Sequence, residues 1–83
     1  MPLARTADLI ATAYRAGTGV LACNVITLEH AEAIVTGAEH VGRPVILQLS
    51  ENAVKFHHGR LAPIAAAAAA VADAATVDVA VHL

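Results

Sequence analysis

The sequence contains no tryptophan, one tyrosine and one phenylalanine, so its core must be assembled from alanine, valine, leucine and isoleucine. The scarcity of aromatic rings also removes the stacking platforms on which single-stranded nucleic acids are held. Basic residues are equally thin. Arg5, Arg15, Arg43, Lys55 and Arg60 are scattered, the net charge is −2, and no positive cluster forms, which argues against nucleic acid as a partner. A single cysteine, Cys23, excludes an internal disulfide and fits a reducing compartment. The most apolar run, Ala62 to Ala72, is far short of the roughly 20 residues that cross a bilayer. Arg5 is not followed by the long apolar core of a secretory signal, so no membrane association and a cytoplasmic location are expected.

Several catalytic and cofactor signatures are missing as well. Neither His-Glu-x-x-His nor a cysteine-rich metal pattern occurs. Gly17-Thr18-Gly19 precedes a strand instead of following one, which is the wrong context for dinucleotide binding. His57 and His58 are adjacent, so in extended chain their rings point apart, and His30 and His40 read as surface residues of a helix.

What is present is apolar and regular. The chain is 58% hydrophobic and 14% charged, a composition that excludes disorder and bounds it to one small domain. Thr6 reads as the cap of a first helix carrying Leu9, Ile10, Ala13 and Tyr14 at helical spacing, with Gly17 as its stop. Val20 to Asn24 reads as a strand. Thr27 can cap a second helix whose buried stripe is Leu28, Ala31, Ile34, Val35, Ala38 and Val41, ended by Gly42. Val45 to Leu49 is a second strand, Ser50 to Arg60 a polar loop with room for a helical turn, and Ile64 to Ala75 a helix of nearly pure alanine behind Pro63.

The third strand, Val77 to Leu83, is followed by no turn, cap or polar tail. An uncovered run of valines is a pairing hazard, so the expectation is that these residues open a larger α/β protein. Strands apolar on both faces and joined by helices imply parallel pairing, either in an open sheet or in the first three strands and helices of a (β/α)₈ TIM barrel, incomplete in this chain. On the barrel alternative, residues 1–83 would be the N-terminal part of one barrel domain.

Each strand is apolar until its C-terminal end, where Asn24, Ser50 and His82 appear in turn. In parallel α/β folds those ends share the edge that carries the active site. Polar residues also mark where any strand gives way to a loop, so the placement of all three together is what counts. If Ser50 points inward, Gln48 does too, and an interior holding Gln48 and His82 calls for a polar network.

The segment Gly19-Val20-Leu21-Ala22-Cys23-Asn24-Val25, with Leu28-Glu29 and Ala31-Glu32-Ala33-Ile34 after it, resembles the opening strand and helix of class II fructose-bisphosphate aldolases, and most of all their tagatose-bisphosphate branch. Arg43 to Glu51 resembles the family's second strand, and Val79 to Leu83 its third, which in the family runs directly into Asp-His.

The resemblance implies a zinc-dependent lyase that reversibly cleaves a ketose bisphosphate to dihydroxyacetone phosphate and an aldehyde. In that family zinc acts as a Lewis acid and an aspartate transfers the proton. It further implies that Asn24 and Ser50 face a small phosphorylated sugar, and that His82 and Gln48 support the site from behind. The catalytic aspartate and the zinc ligands are expected past Leu83, so no catalytic or metal-ligating residue is assigned within the chain, the 83 residues alone should be inactive, and the complete enzyme is expected to be a homo-oligomer. Two rival readings remain: a self-contained, non-catalytic α/β interaction module, and a small metal-binding protein using His57, His58 and His82.

Overall fold

The computed structural model describes residues 3–83. Its elements are β1 (Leu3–Ala4), α1 (Thr6–Ala16), β2 (Leu21–Asn24), α2 (Leu28–Val41), β3 (Val45–Gln48), α3 (Glu51–Phe56), α4 (Leu61–Ala74) and β4 (Val79–His82). The strands form one sheet in the order β1-β4-β3-β2, and every pairing is parallel. Parallel neighbours require crossovers on the sheet faces, and the helices supply them.

Alternation along the strands divides the sheet into two sides. On one, Val45, Leu47 and Val79 pack with Ala31 and Val35 of α2 and with Ile64, Ala68 and Ala72 of α4. Alanine on α4 lets that helix lie close to the strands, which explains the low complexity of its sequence. On the other side Ile46 and Ala80 meet Leu9 of α1, with Ala4 and Val20 at the margin. The strands β3 and β4 are thus apolar on both faces because both are covered.

Helix ends follow local chemistry. Gly17 (φ +70°) and Gly42 (φ +66°) end α1 and α2 in the left-handed conformation, each donating its backbone N–H back into the last turn. Thr18 and Arg43 complete the closures by bonding the carbonyls of Ala13 and Ala38 at 2.9 and 3.1 Å. Arg43 also donates from its guanidinium to the Gly19 carbonyl at 3.3 Å, pinning the entry of β2 to that of β3.

The structure corrects several sequence expectations. The cap of α1 is Arg5, which has no side-chain capping bond, and Thr6 is already the first helical residue. The residues between Ser50 and Arg60 hold a six-residue helix, α3, which leaves through two successive left-handed residues, His58 (φ 61°) and Gly59 (φ 75°). The pair His57-His58 is therefore not extended. A fourth strand, β1, lies on the outer edge of β4, with Leu3 opposite Val79 and Ala4 opposite Ala80. Two residues carry no periodicity to read. Finally, Leu28 and Val41 are exposed although their spacing placed them on a buried stripe, and Ile10 and Tyr14, apolar at helical spacing on α1, are exposed as well.

Candidate functional site at the C-terminal strand edge

The register of the sheet sets the geometry of the site. Asn24 stands opposite Gln48, and Gln48 stands opposite His82, so three polar residues form one row across β2, β3 and β4. Alternation puts that row on the side of the sheet that α1 covers. Leu9 packs against Ile46 and Ala80, two residues earlier on their strands, so α1 stops short of the row. Asn24 and His82 are accordingly exposed and Gln48 is half-buried.

The ladder continues past the row. Val25 donates its N–H to the Gln48 carbonyl at 2.9 Å, and Leu49 donates to the His82 carbonyl at 2.8 Å. Both residues are buried on the helix side. The three polar tips are thereby held on backbone that is hydrogen-bonded on each side of them. No hydrogen bond among the described residues uses the Asn24, Gln48 or His82 side chain, which leaves an amide, an amide and an imidazole free for a ligand or water.

Ser50 lies two residues beyond Gln48 and is half-buried. Its Oγ accepts a hydrogen bond from the Ala53 N–H at 3.4 Å and caps α3. A hydroxyl carries one donor besides its acceptor pairs, so capping leaves the Ser50 proton available. Sequence reasoning put Asn24, Ser50 and His82 together, and all three lie at the same edge. Those in direct register are Asn24, Gln48 and His82, with Ser50 set beyond them on the first turn of a helix.

Two histidines that sequence reasoning assigned no part in this edge, His30 and His57, hold it in place. The Nδ1 of His30 accepts from the Ile26 N–H at 3.2 Å and from the Thr27 N–H at 3.3 Å. The Thr27 Oγ1 accepts from the His30 N–H at 3.3 Å, which makes a capping box with histidine in the position glutamate usually takes. From the turn after α3, the Nε2 of half-buried His57 bonds the Ile26 carbonyl. The signal for His30 was its place three residues after the cap; nothing in the sequence marks His57.

Among the described residues no three His, Cys, Asp or Glu side chains converge to hold a metal ion. The set His57, His58 and His82 is not assembled, and the donors present do not by themselves fit a resident zinc. An apolar groove of about 480 Å³, lined in part by Leu21, Cys23, Ile34 and Val41, flanks β2 on the α2 side of the sheet, away from the polar row. No helix among the described residues is long and apolar enough to cross a membrane.

The sheet of parallel strands alternating with helices, with polar residues gathered at the strands' C-terminal ends, has the form of part of a (β/α)₈ barrel enzyme. Residues 4–83 match the family described as "Fructose-bisphosphate aldolase class-II", and the chain belongs to that family. It is 41% identical over 76 residues to the "Fructose-bisphosphate aldolase" of Thermus caldophilus, an alignment covering 92% of this chain and 24% of that protein. It is 36% identical over 84 aligned positions to the "Probable fructose-bisphosphate aldolase" of Bacillus subtilis (strain 168), covering 100% of this chain and 30% of the relative. The chain thus spans less than a third of the length of these curated relatives. The family is zinc-dependent.

Proposed function

We propose that this chain supplies the first three barrel strands of a class II ketose-bisphosphate aldolase, which cleaves a phosphorylated ketose reversibly to dihydroxyacetone phosphate and an aldehyde. The observation that carries the reading is the register of Asn24, Gln48 and His82 at the C-terminal edge of β2, β3 and β4, beside the free hydroxyl proton of Ser50. That edge is where such barrels do their chemistry.

Asn24 and Ser50 are the substrate-facing residues in this reading. The Asn24 carboxamide offers both a donor and an acceptor to the hydroxyls of an open-chain sugar, and the Ser50 hydroxyl offers a donor to a phosphate oxygen. Gln48 sits between Asn24 and His82, one strand spacing of about 4.8 Å from each, so the two stand about 9.6 Å apart across the row. His82, at the tip of β4, supports the reacting groups instead of bonding the metal. We place the zinc ligands and the proton-transfer carboxylate outside these 83 residues. The isolated chain is then expected to be inert, and the substrate-bearing enzyme to be the complete barrel.

A graft tests this. The 83 residues are exchanged for the matching segment of the Bacillus subtilis relative, and cleavage of fructose 1,6-bisphosphate is assayed with zinc present. The graft is expected to cleave the substrate while the isolated chain does not. A graft that folds like the relative but has no activity, or an isolated chain that is active, contradicts the proposal.

A further inference from the structure

The turn that joins β2 to α2 is held from two sides by imidazoles. His30 accepts two backbone N–H groups, those of Ile26 and Thr27, on a single nitrogen, Nδ1. His57 bonds the carbonyl of the same residue, Ile26, from the turn after α3, 31 positions away in sequence. The peptide groups flanking Ile26 are thereby clamped on their N–H and C=O sides, one residue beyond buried Val25 and two beyond Asn24.

The two bonds have opposite proton requirements. An imidazole nitrogen accepts only through its lone pair, so His30 must be neutral with its proton on Nε2. His57 meets a carbonyl and must carry a proton on the nitrogen that faces it, a need that both the neutral ring and the imidazolium satisfy. Protonation of His30 therefore replaces an acceptor with a donor aimed at two N–H groups, while protonation of His57 leaves its bond intact. The clamp has one pH-sensitive jaw and one insensitive jaw.

We propose that His30 makes the Ile26–Thr27 turn a pH-sensitive latch, closed while the imidazole is neutral and released on its protonation. Other charges do not decide the matter. Around the turn, His57 comes from the end of α3 and Glu29 precedes His30 on α2; neither histidine forms an ion pair among the described residues, and on α3 Glu51 and Lys55 pair with each other at 3.6 Å. The sign follows from the hydrogen bonds. The bonded form in the folded chain is the neutral one, so the latch contributes order while the imidazole is neutral and loses it when falling pH protonates the ring. Release frees the first turn of α2 and the strand end that carries Asn24, while His57 keeps the turn tethered through the Ile26 carbonyl. The latch does not rest on the aldolase reading, because it is defined by backbone contacts alone.

The test is amide exchange by NMR on the 83-residue chain between about pH 8 and pH 5, corrected for the intrinsic pH dependence of exchange. The Ile26 and Thr27 amides are expected to lose about fivefold in protection, the equivalent of one typical net hydrogen bond, in step with the His30 ring signals. Leu47 and Ala80 in the central strands should hold theirs. His30→Gln replaces the acceptor with an amide oxygen that does not titrate, so Ile26 and Thr27 should stay protected at both ends of the range. His57→Gln should leave the pH response unchanged. Protection at Ile26 and Thr27 that is indifferent to pH in the native chain overturns the proposal whatever the variants do. Loss shared equally with Leu47 and Ala80, or a response that survives in His30→Gln, overturns it as well.

Discussion

Glu39, on α2, accepts two hydrogen bonds from Thr76: one from its backbone N–H at 2.8 Å and one from its hydroxyl at 3.2 Å, both on the same carboxylate oxygen. The contact joins residues 37 positions apart. It fixes the chain between α4 and β4 to the helix that packs beside it, and so sets where β4 enters the sheet. A carboxylate acceptor makes such bonds stronger than neutral ones, though exposure to water offsets part of the gain. Glu39→Ala is expected to lower stability by about 1 kcal/mol, read from urea unfolding. Thr76→Val, which keeps the backbone donor, should cost less. Equal losses in the two variants would argue against the backbone bond as the main contact.

The same substitution should change sign between two glycines. Gly42 has a φ of +66° and open space around a built Cβ, so alanine there meets no atom and costs only backbone strain, about 1 kcal/mol. Gly37 lies inside α2, also with open space, and its alanine variant should gain about 0.5–1 kcal/mol in helix propensity. Thermal unfolding of the two variants checks the pair. Destabilisation by both would mean that Gly37 is needed for close approach by something that packs on α2.

The alanine helix α4 gives a third contrast. Ala68 is fully buried between the strands and α2, whereas Ala66 faces solvent. Ala68→Leu should cost about 1–3 kcal/mol by overpacking, and Ala66→Leu should be close to neutral. Circular dichroism melts separate these outcomes. Equal tolerance would show that α4 rests more loosely on the sheet than its buried face requires.

These contrasts show what a sequence of this kind discloses. The strand–helix alternation, the parallel pairing and the cap at Thr27 were legible because each has a local signal: strands apolar on both faces, a threonine before helical periodicity, a glycine after it. The side of the row at Asn24, Gln48 and His82 was half legible. Parity paired Gln48 with Ser50, but the direct alignment of all three depends on register, which no single strand encodes. The helix α3 was legible only as room for a helical turn between Ser50 and Arg60, and β1 was hidden by its length. The exposed positions of Ile10, Tyr14, Leu28 and Val41 follow from a further limit: periodicity says which side of a helix is apolar, and only the tertiary structure says what lies against it. The roles of His30 and His57 are contacts to backbone across a turn, and their residue type alone gives no hint of them.

The central claim is that the row at the C-terminal strand edge faces the reacting sugar, and side-chain parity in the grafted enzyme tests it most directly. Asn24→Ala, Gln48→Ala and His82→Ala should each lower kcat/KM by about tenfold or more, the usual cost of removing a residue that contacts or orients a site. Cys23→Ala and Val81→Ala, one residue away and packed toward the helices, should leave it within about twofold while lowering stability. If the inward and helix-facing variants lose activity alike, or if the row can be removed without loss, these strands support a barrel but do not line its reaction space.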